Sequence, residues 1–270
     1  MKSAAFRYAR PPGLAEAMDL KRAHGEEARW LAGGQSLVPM MNLRVSSPAL
    51  VIDLGRIREL TGISVHGDTL RIGAMTRHAV VGTDPLVARH APLLAQAAPW
   101  IAHPAIRARG TIGGSLALAD PAAEWPACCL ALNATIVVLG TDGRERGIAA
   151  VDFFQGFYAT ALATDELLIR VEIPLQQGRS TLREIARRHG DYATVGLAAT
   201  SAPALAFFGV ADRPLRFPGV EAALMSQGVD AAVALLRTTL EPLADLYHAA
   251  ATKSHLAGVL LRRVAEELQA

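Results

Sequence analysis

Two double-glycine segments, Ala32-Gly33-Gly34-Gln35-Ser36 and Thr111-Ile112-Gly113-Gly114-Ser115, constrain this chain more than any other feature. Each lies between an apolar run and hydroxyl-bearing residues. Each is therefore expected to turn sharply and to aim backbone N–H groups outward at an anion. One Gly-Gly pair alone reads as an ordinary tight turn. Two such pairs, with Leu37 beside one and Ile112 within the other, suit a ligand that has a long phosphate-bearing backbone gripped from two sides and a flat ring beside its phosphates.

The standard phosphate motifs do not fit these segments. A P-loop requires G-x-x-x-x-G-K-[ST], and no lysine follows either pair. The dinucleotide fingerprint G-x-G-x-x-G requires a spacing that neither pair has. What remains is paired amides plus the hydroxyls of Ser36, Thr111 and Ser115, a set suited to a pyrophosphate held without heavy use of cations.

Composition narrows the class further. A chain of 270 residues that is 51% hydrophobic can bury one large core or two modest ones. The net charge of +2, with both signs interspersed, leaves no basic stripe of the kind that tracks nucleic acid. The N-terminus has no sustained apolar stretch, and no window approaches the ~18 apolar residues of a membrane span, so a cytoplasmic chain is expected. The two cysteines, Cys128 and Cys129, are adjacent inside an apolar run, where buried inert thiols are expected. They are too few for an iron–sulfur cluster, which takes about four thiolates, and no metal-ligand spacing is present. The eight histidines are scattered; His78, His90 and His103 flank apolar helical segments, which suits surface or capping positions. There is no H-E-x-x-H and no G-x-S-x-G, and no catalytic constellation emerges.

The pattern along the chain predicts an α+β fold. Residues 14–25 read as a helix closed by Gly25, 29–32 and 50–54 as short strands, and 63–72 as a hairpin turning at Gly67-Asp68. A helix over 86–102, ending at His103-Pro104, precedes the second glycine segment. Strands at 134–139 and 147–151, joined by Gly140-Thr141-Asp142-Gly143, and a strand at 167–173 stopped by Pro174 complete the first part. Gln176-Gln177-Gly178-Arg179-Ser180 is the expected linker. Beyond it, strands at 181–187 and 204–210 precede a region, from Val229 onward, dominated by helical spacing. The expected division is residues 1–175, with subdomains of about 1–57 and 58–175, and residues 178–270.

Three stretches carry a family resemblance. The run from Leu31 to Pro39 (LAGGQSLVP), followed by Met41-Asn42-Leu43-Arg44, resembles the first FAD-binding loop of the medium flavoprotein subunit of molybdenum hydroxylases, the carbon-monoxide dehydrogenase and xanthine dehydrogenase relatives. The run from Arg109 to Ala117 (RGTIGGSLA), continuing through Ala119-Asp120-Pro121-Ala122-Ala123-Glu124-Trp125-Pro126-Ala127, resembles the second loop almost position for position. Arg187-Arg188-His189-Gly190-Asp191-Tyr192-Ala193 resembles the segment that opens the family's C-terminal domain, and the similarity covers nearly the whole chain.

The resemblance implies a fold of the vanillyl-alcohol-oxidase (PCMH) type, with FAD between two α+β subdomains and a small C-terminal α+β domain partly covering it. It assigns Ala32, Gly33, Gly34, Gln35, Ser36 and Leu37, with Thr111, Ile112, Gly113, Gly114 and Ser115, to the cofactor. Glu124 would hydrogen-bond it, Leu168 and Ile101 would pack on it, Tyr192 would lie near its ring, and Arg183 would stand roughly where some relatives have a lysine. Leu118 and Gln35 depart from positions where histidine is common, and the 200–210 stretch is shorter than usual. The implied function is a one-at-a-time electron relay. A partner subunit with two [2Fe–2S] clusters delivers electrons, a molybdopterin-binding large subunit performs the hydroxylation, and the assembly is a dimer of heterotrimers. NAD, quinone and oxygen all stand as acceptors. Two other readings stay open here: a stand-alone FAD-dependent oxidoreductase of a small molecule, and a flavin-free nucleotide-binding scaffold.

Overall fold

The structure is a computed structural model and describes residues 2–176 and 178–269. Gln177 of the expected linker and the two terminal residues lie outside the described residues. Three main sheets, each with its own helices, follow one another along the chain, and a two-stranded ribbon is inserted within the second.

β1 (Arg7–Ala9) leads through Pro11-Pro12-Gly13 into α1 (Leu14–His24); β2 (Ala28–Leu31), α2 (Leu37–Asn42) and β3 (Leu50–Asp53) follow. β3 lies between β1 and β2 and is parallel to both. Parallel pairing demands crossovers, and α1 supplies the first. It buries Ala17, Met18 and Lys21 on the face turned to β3. The Lys21 ammonium donates to the carbonyls of Gly25 and Ala28, both at 2.8 Å, so a buried cation sits at the carbonyl-rich end of its helix.

The middle of the chain forms a five-stranded antiparallel sheet in the order β4-β5-β10-β6-β7. Its strands are β4 (Ile63–His66), β5 (Thr69–Gly73), β6 (Thr135–Gly140), β7 (Glu145–Ala149) and, after the small hairpin of β8 (Phe154–Gly156) and β9 (Ala159–Thr160), β10 (Glu166–Pro174). Between β5 and β6 run α3 (His78–Val81), α4 (Pro85–His90), α5 (Pro92–Ala97), α6 (Pro104–Arg107), α7 (Ile112–Leu118) and α8 (Glu124–Ala131), and α9 (Ala150–Phe153) follows β7. The single helix expected over 86–102 is broken. Ala91, at φ −145° and ψ 59°, precedes Pro92, whose ring excludes a helical predecessor. The strand expected at 147–151 ends at Ala149, and Val151 enters α9.

The last part is a four-stranded antiparallel sheet, β11 (Ser180–Ile185), β12 (Val195–Thr200), β13 (Ala204–Phe208) and β14 (Leu215–Arg216), with α10 (Pro218–Gln227), α11 (Val229–Thr239) and α12 (Ala250–Gln269). The shortened stretch after Thr200 makes a tight β12–β13 turn. This sheet is buried on both faces. Leu197, Leu205 and Phe207 pack on α11 and α12, whereas Leu182, Ala198 and Phe208 join the core that holds α5 and α8. The five-stranded sheet is shared likewise, with Val137, Leu167 and Ile169 on the N-terminal core and Ile136, Val138 and Leu168 on the central one.

Candidate functional site

A cavity of about 530 Å³ opens where the three parts meet, within the size range of small-molecule and cofactor sites. Ala32, Gly33, Gly34, Gln35, Ser36 and Leu37 form one wall, and Thr111, Gly113, Gly114 and Ser115 form another. Ile101, Glu124, Leu168 and Tyr192 line it as well, as does Leu118. Ile112 is the exception: it is fully buried in the central core and takes no part in the wall, because α7 turns it away from the opening.

The two glycine segments differ in what they present. β2 ends at Leu31, and Gly34 adopts a left-handed φ of 74°, which swings the chain toward α2. Across this turn the N–H groups of residues 33–37 have no acceptor among the described residues. The side-chain amide of Gln35 donates to the Gly33 carbonyl at 3.0 Å, bracing the turn. The second segment is not a loop; it is the start of α7. Its amides are already engaged: Ile112 with the Thr76 carbonyl at 3.0 Å, Gly113 with the Ala74 carbonyl at 2.9 Å, Gly114 with Thr111 Oγ1 at 3.1 Å and Ser115 with the Thr111 carbonyl at 3.1 Å. Only the first of the two expected anion-facing amide rows is therefore free, and the second segment offers its hydroxyls. The segments meet backbone to backbone, since a Cβ on Gly33 would lie 2.5 Å from the Arg109 carbonyl oxygen and 2.7 Å from the Gly110 Cα.

Charge around the cavity is uneven. Arg29 is the lining cation among the described residues, and Asp120, Glu124 and Asp191 are the lining acids. Glu124 opens α8 and is 7% exposed; burial pushes its carboxyl up to about 7 against the pull of its own N–H, and the neighbouring Asp120 adds to the rise. Asp120 is also raised by burial, which outweighs the hydrogen bonds it accepts from the Ala122 N–H and the Tyr158 hydroxyl. Tyr192, 70% exposed, stands at the rim.

Sequence reasoning missed His78. Expected at a surface or cap, it is 5% exposed, lines the cavity and accepts a 2.8 Å hydrogen bond from the Trp125 indole. The signal was absent because Trp125 stands 47 positions away. Arg183, by contrast, points outward and pairs with Glu267 at 2.7 Å. Cys128 and Cys129 are free and fully buried, with the Cys129 thiol pushed up to about 12 by burial. No helix among the described residues is long and apolar enough to cross a membrane.

Fold and cavity together define an α+β protein with a cofactor-sized cavity between its parts, walled on one side by free backbone amides. Residues 4–176 match the FAD binding domain in molybdopterin dehydrogenase, and residues 180–268 match the CO dehydrogenase flavoprotein C-terminal domain. The chain belongs to this family of FAD-binding oxidoreductase subunits. It is 39% identical to the nicotine 6-hydroxylase medium subunit of Paenarthrobacter nicotinovorans, over 99% of this chain and 98% of that one. Among solved structures it resembles a carbon monoxide dehydrogenase from Hydrogenophaga pseudoflava, with a TM-score of 0.94, 36% identity and coverage of 100% and 99%. It also resembles quinoline 2-oxidoreductase from Pseudomonas putida 86, with a TM-score of 0.94, 35% identity and coverage of 99% and 98%.

Proposed function

We propose that this chain is the FAD-carrying electron-transfer subunit of a molybdopterin dehydrogenase or hydroxylase. It would receive electrons from [2Fe–2S] clusters on a small subunit and release them to an external acceptor. Substrate hydroxylation would belong to a molybdopterin-binding large subunit, the whole being a cytoplasmic dimer of heterotrimers. The observation that carries this reading is the row of five unspent N–H groups, residues 33–37, on the wall of an otherwise largely apolar cavity.

The residues present fit the cofactor. The N–H groups of 33–37 suit the diphosphate, with the hydroxyls of Ser36, Thr111 and Ser115 adding neutral donors. Ile101 and Leu168 supply apolar surface for the ring, Glu124 a hydrogen-bonding carboxyl, and Tyr192 an aromatic edge at the opening. Bound FAD supplies the one- and two-electron chemistry, while the chain binds, orients and screens it from water. Residues 1–175, as subdomains of about 1–57 and 58–175, would form the cradle, and 178–270 would cover it.

The visible absorption spectrum of the purified chain, with and without added FAD, tests the cofactor reading. A flavin spectrum is expected for the wild type and its loss for Gly114→Asp. At Gly114 even a Cβ would lie 2.9 Å from Thr111 Oγ1, and a carboxylate adds charge repulsion toward a diphosphate. A colourless wild-type chain that takes up no FAD would sink the reading. Co-expression with the genes beside it should yield a three-subunit complex; full turnover by the isolated monomer would argue against a relay.

A further inference from the structure

His78 lines the cavity and holds its ring in one protonation state and one orientation. The indole nitrogen of Trp125 can only donate, so at 2.8 Å it makes His78 Nδ1 the acceptor and leaves the ring proton on Nε2. Burial, reinforced by the guanidinium groups of Arg77 and Arg107, lowers the ring's pKa to about 4, so it is neutral at ordinary pH. The backbone fixes the rest of the residue: the His78 N–H donates to the Gly110 carbonyl at 3.0 Å. The Cδ2–Nε2 edge rests over the Cα of Gly110, where a Cβ would stand 2.6 Å from both ring atoms. Gly110 is also the residue against which Gly33 packs. The ring therefore lies where the two glycine segments meet, and among the described residues no group accepts from its Nε2–H.

We propose that His78, through Nε2–H, donates a hydrogen bond to an oxygen on the diphosphate–ribityl stretch of bound FAD, with Trp125 fixing the tautomer that makes this possible. The inference rests on the FAD reading above. A neutral donor at this junction complements the free amides of 33–37, and it explains why a polar ring is buried there at all. A histidine that merely filled space would not need to line the cavity, nor the indole to hold its proton on Nε2.

The test uses the full chain stripped of flavin and titrated with FAD, read by quenching of flavin fluorescence. His78→Phe keeps a ring but no donor, and should weaken FAD binding by about tenfold or more, the loss expected for one buried hydrogen bond. His78→Gln, which restores an N–H, should recover part of it. Should His78→Phe fail to give a cooperative thermal transition, wild-type chain labelled with ¹⁵N-histidine decides instead. The protonated Nε2 resonance of His78 should move on FAD addition while Nδ1 keeps its unprotonated shift. A dissociation constant for His78→Phe within twofold of wild type, or an Nε2 resonance that stays put at saturating FAD, overturns the proposal. A wild-type chain that binds no FAD overturns the cofactor reading, and this inference with it.

Discussion

Neighbouring residues on β11 meet opposite fates. Arg183 faces water and pairs with Glu267, while Glu184 faces inward, 9% exposed, with both carboxyl oxygens lacking a partner among the described residues. Burial pushes the Glu184 carboxyl up to about 8, and the Glu124 carboxyl raises it further. A folded-state pKa above the ordinary 4.5 means that the native chain keeps a proton which the unfolded chain releases. Stability conferred by that proton is complete at acid pH and falls as pH rises from about 4.5 to about 8. Glu184→Gln should therefore match wild type in thermal midpoint near pH 5 and exceed it near pH 8. The gain there should be a few kcal/mol at most, because each unit by which burial raises the carboxyl's pKa costs about 1.4 kcal/mol once the pH forces it to ionise. Calorimetry at the two pH values checks this, and an equal difference at both would show that the carboxyl finds a partner.

At the scale of elements, the start of α7 is the piece on which the second cavity wall depends. Thr111 is its N-cap, with its hydroxyl accepting from the Gly114 N–H at 3.1 Å. Thr111→Val keeps the shape and removes the acceptor, so urea unfolding of the flavin-free chain should show a loss of about 1 kcal/mol. Thr111→Ser should restore it, and an unchanged midpoint for the valine variant would mean that the cap contributes nothing. The same element shows where sequence reading stops. The glycine pairs were visible, and the hairpin at Gly67-Asp68 was legible because its turn residues announce it. That Ile112 and Gly113 spend their amides on the carbonyls of Thr76 and Ala74 depends on a distant pairing that no local pattern encodes. β12 escaped notice because all six of its residues are buried on a doubly covered sheet, which erases alternation. α2 is six residues with a proline inside, too short to carry a period. The break at Ala91-Pro92, on the other hand, was readable from the rule that a residue before proline leaves the helical region.

On the scale of the whole molecule, α8 is the shared partner. It opens at the cavity with Glu124, packs beside α5 and α7, and lies against β12 and β13 of the last sheet. Its adjacent thiols, Cys128 and Cys129, are shut in by that arrangement, fully buried and with their ionisation suppressed by burial. Both are free and have no part in the proposed chemistry, yet they give the molecule a built-in clock. A maleimide can reach them only when the packing around α8 opens, so the labelling rate under native conditions measures how often that opening occurs. Labelling of the folded chain should be at least ~100-fold slower than in urea, as expected for a core position that opens only rarely. Rapid native labelling would mean that the core around α8 opens readily.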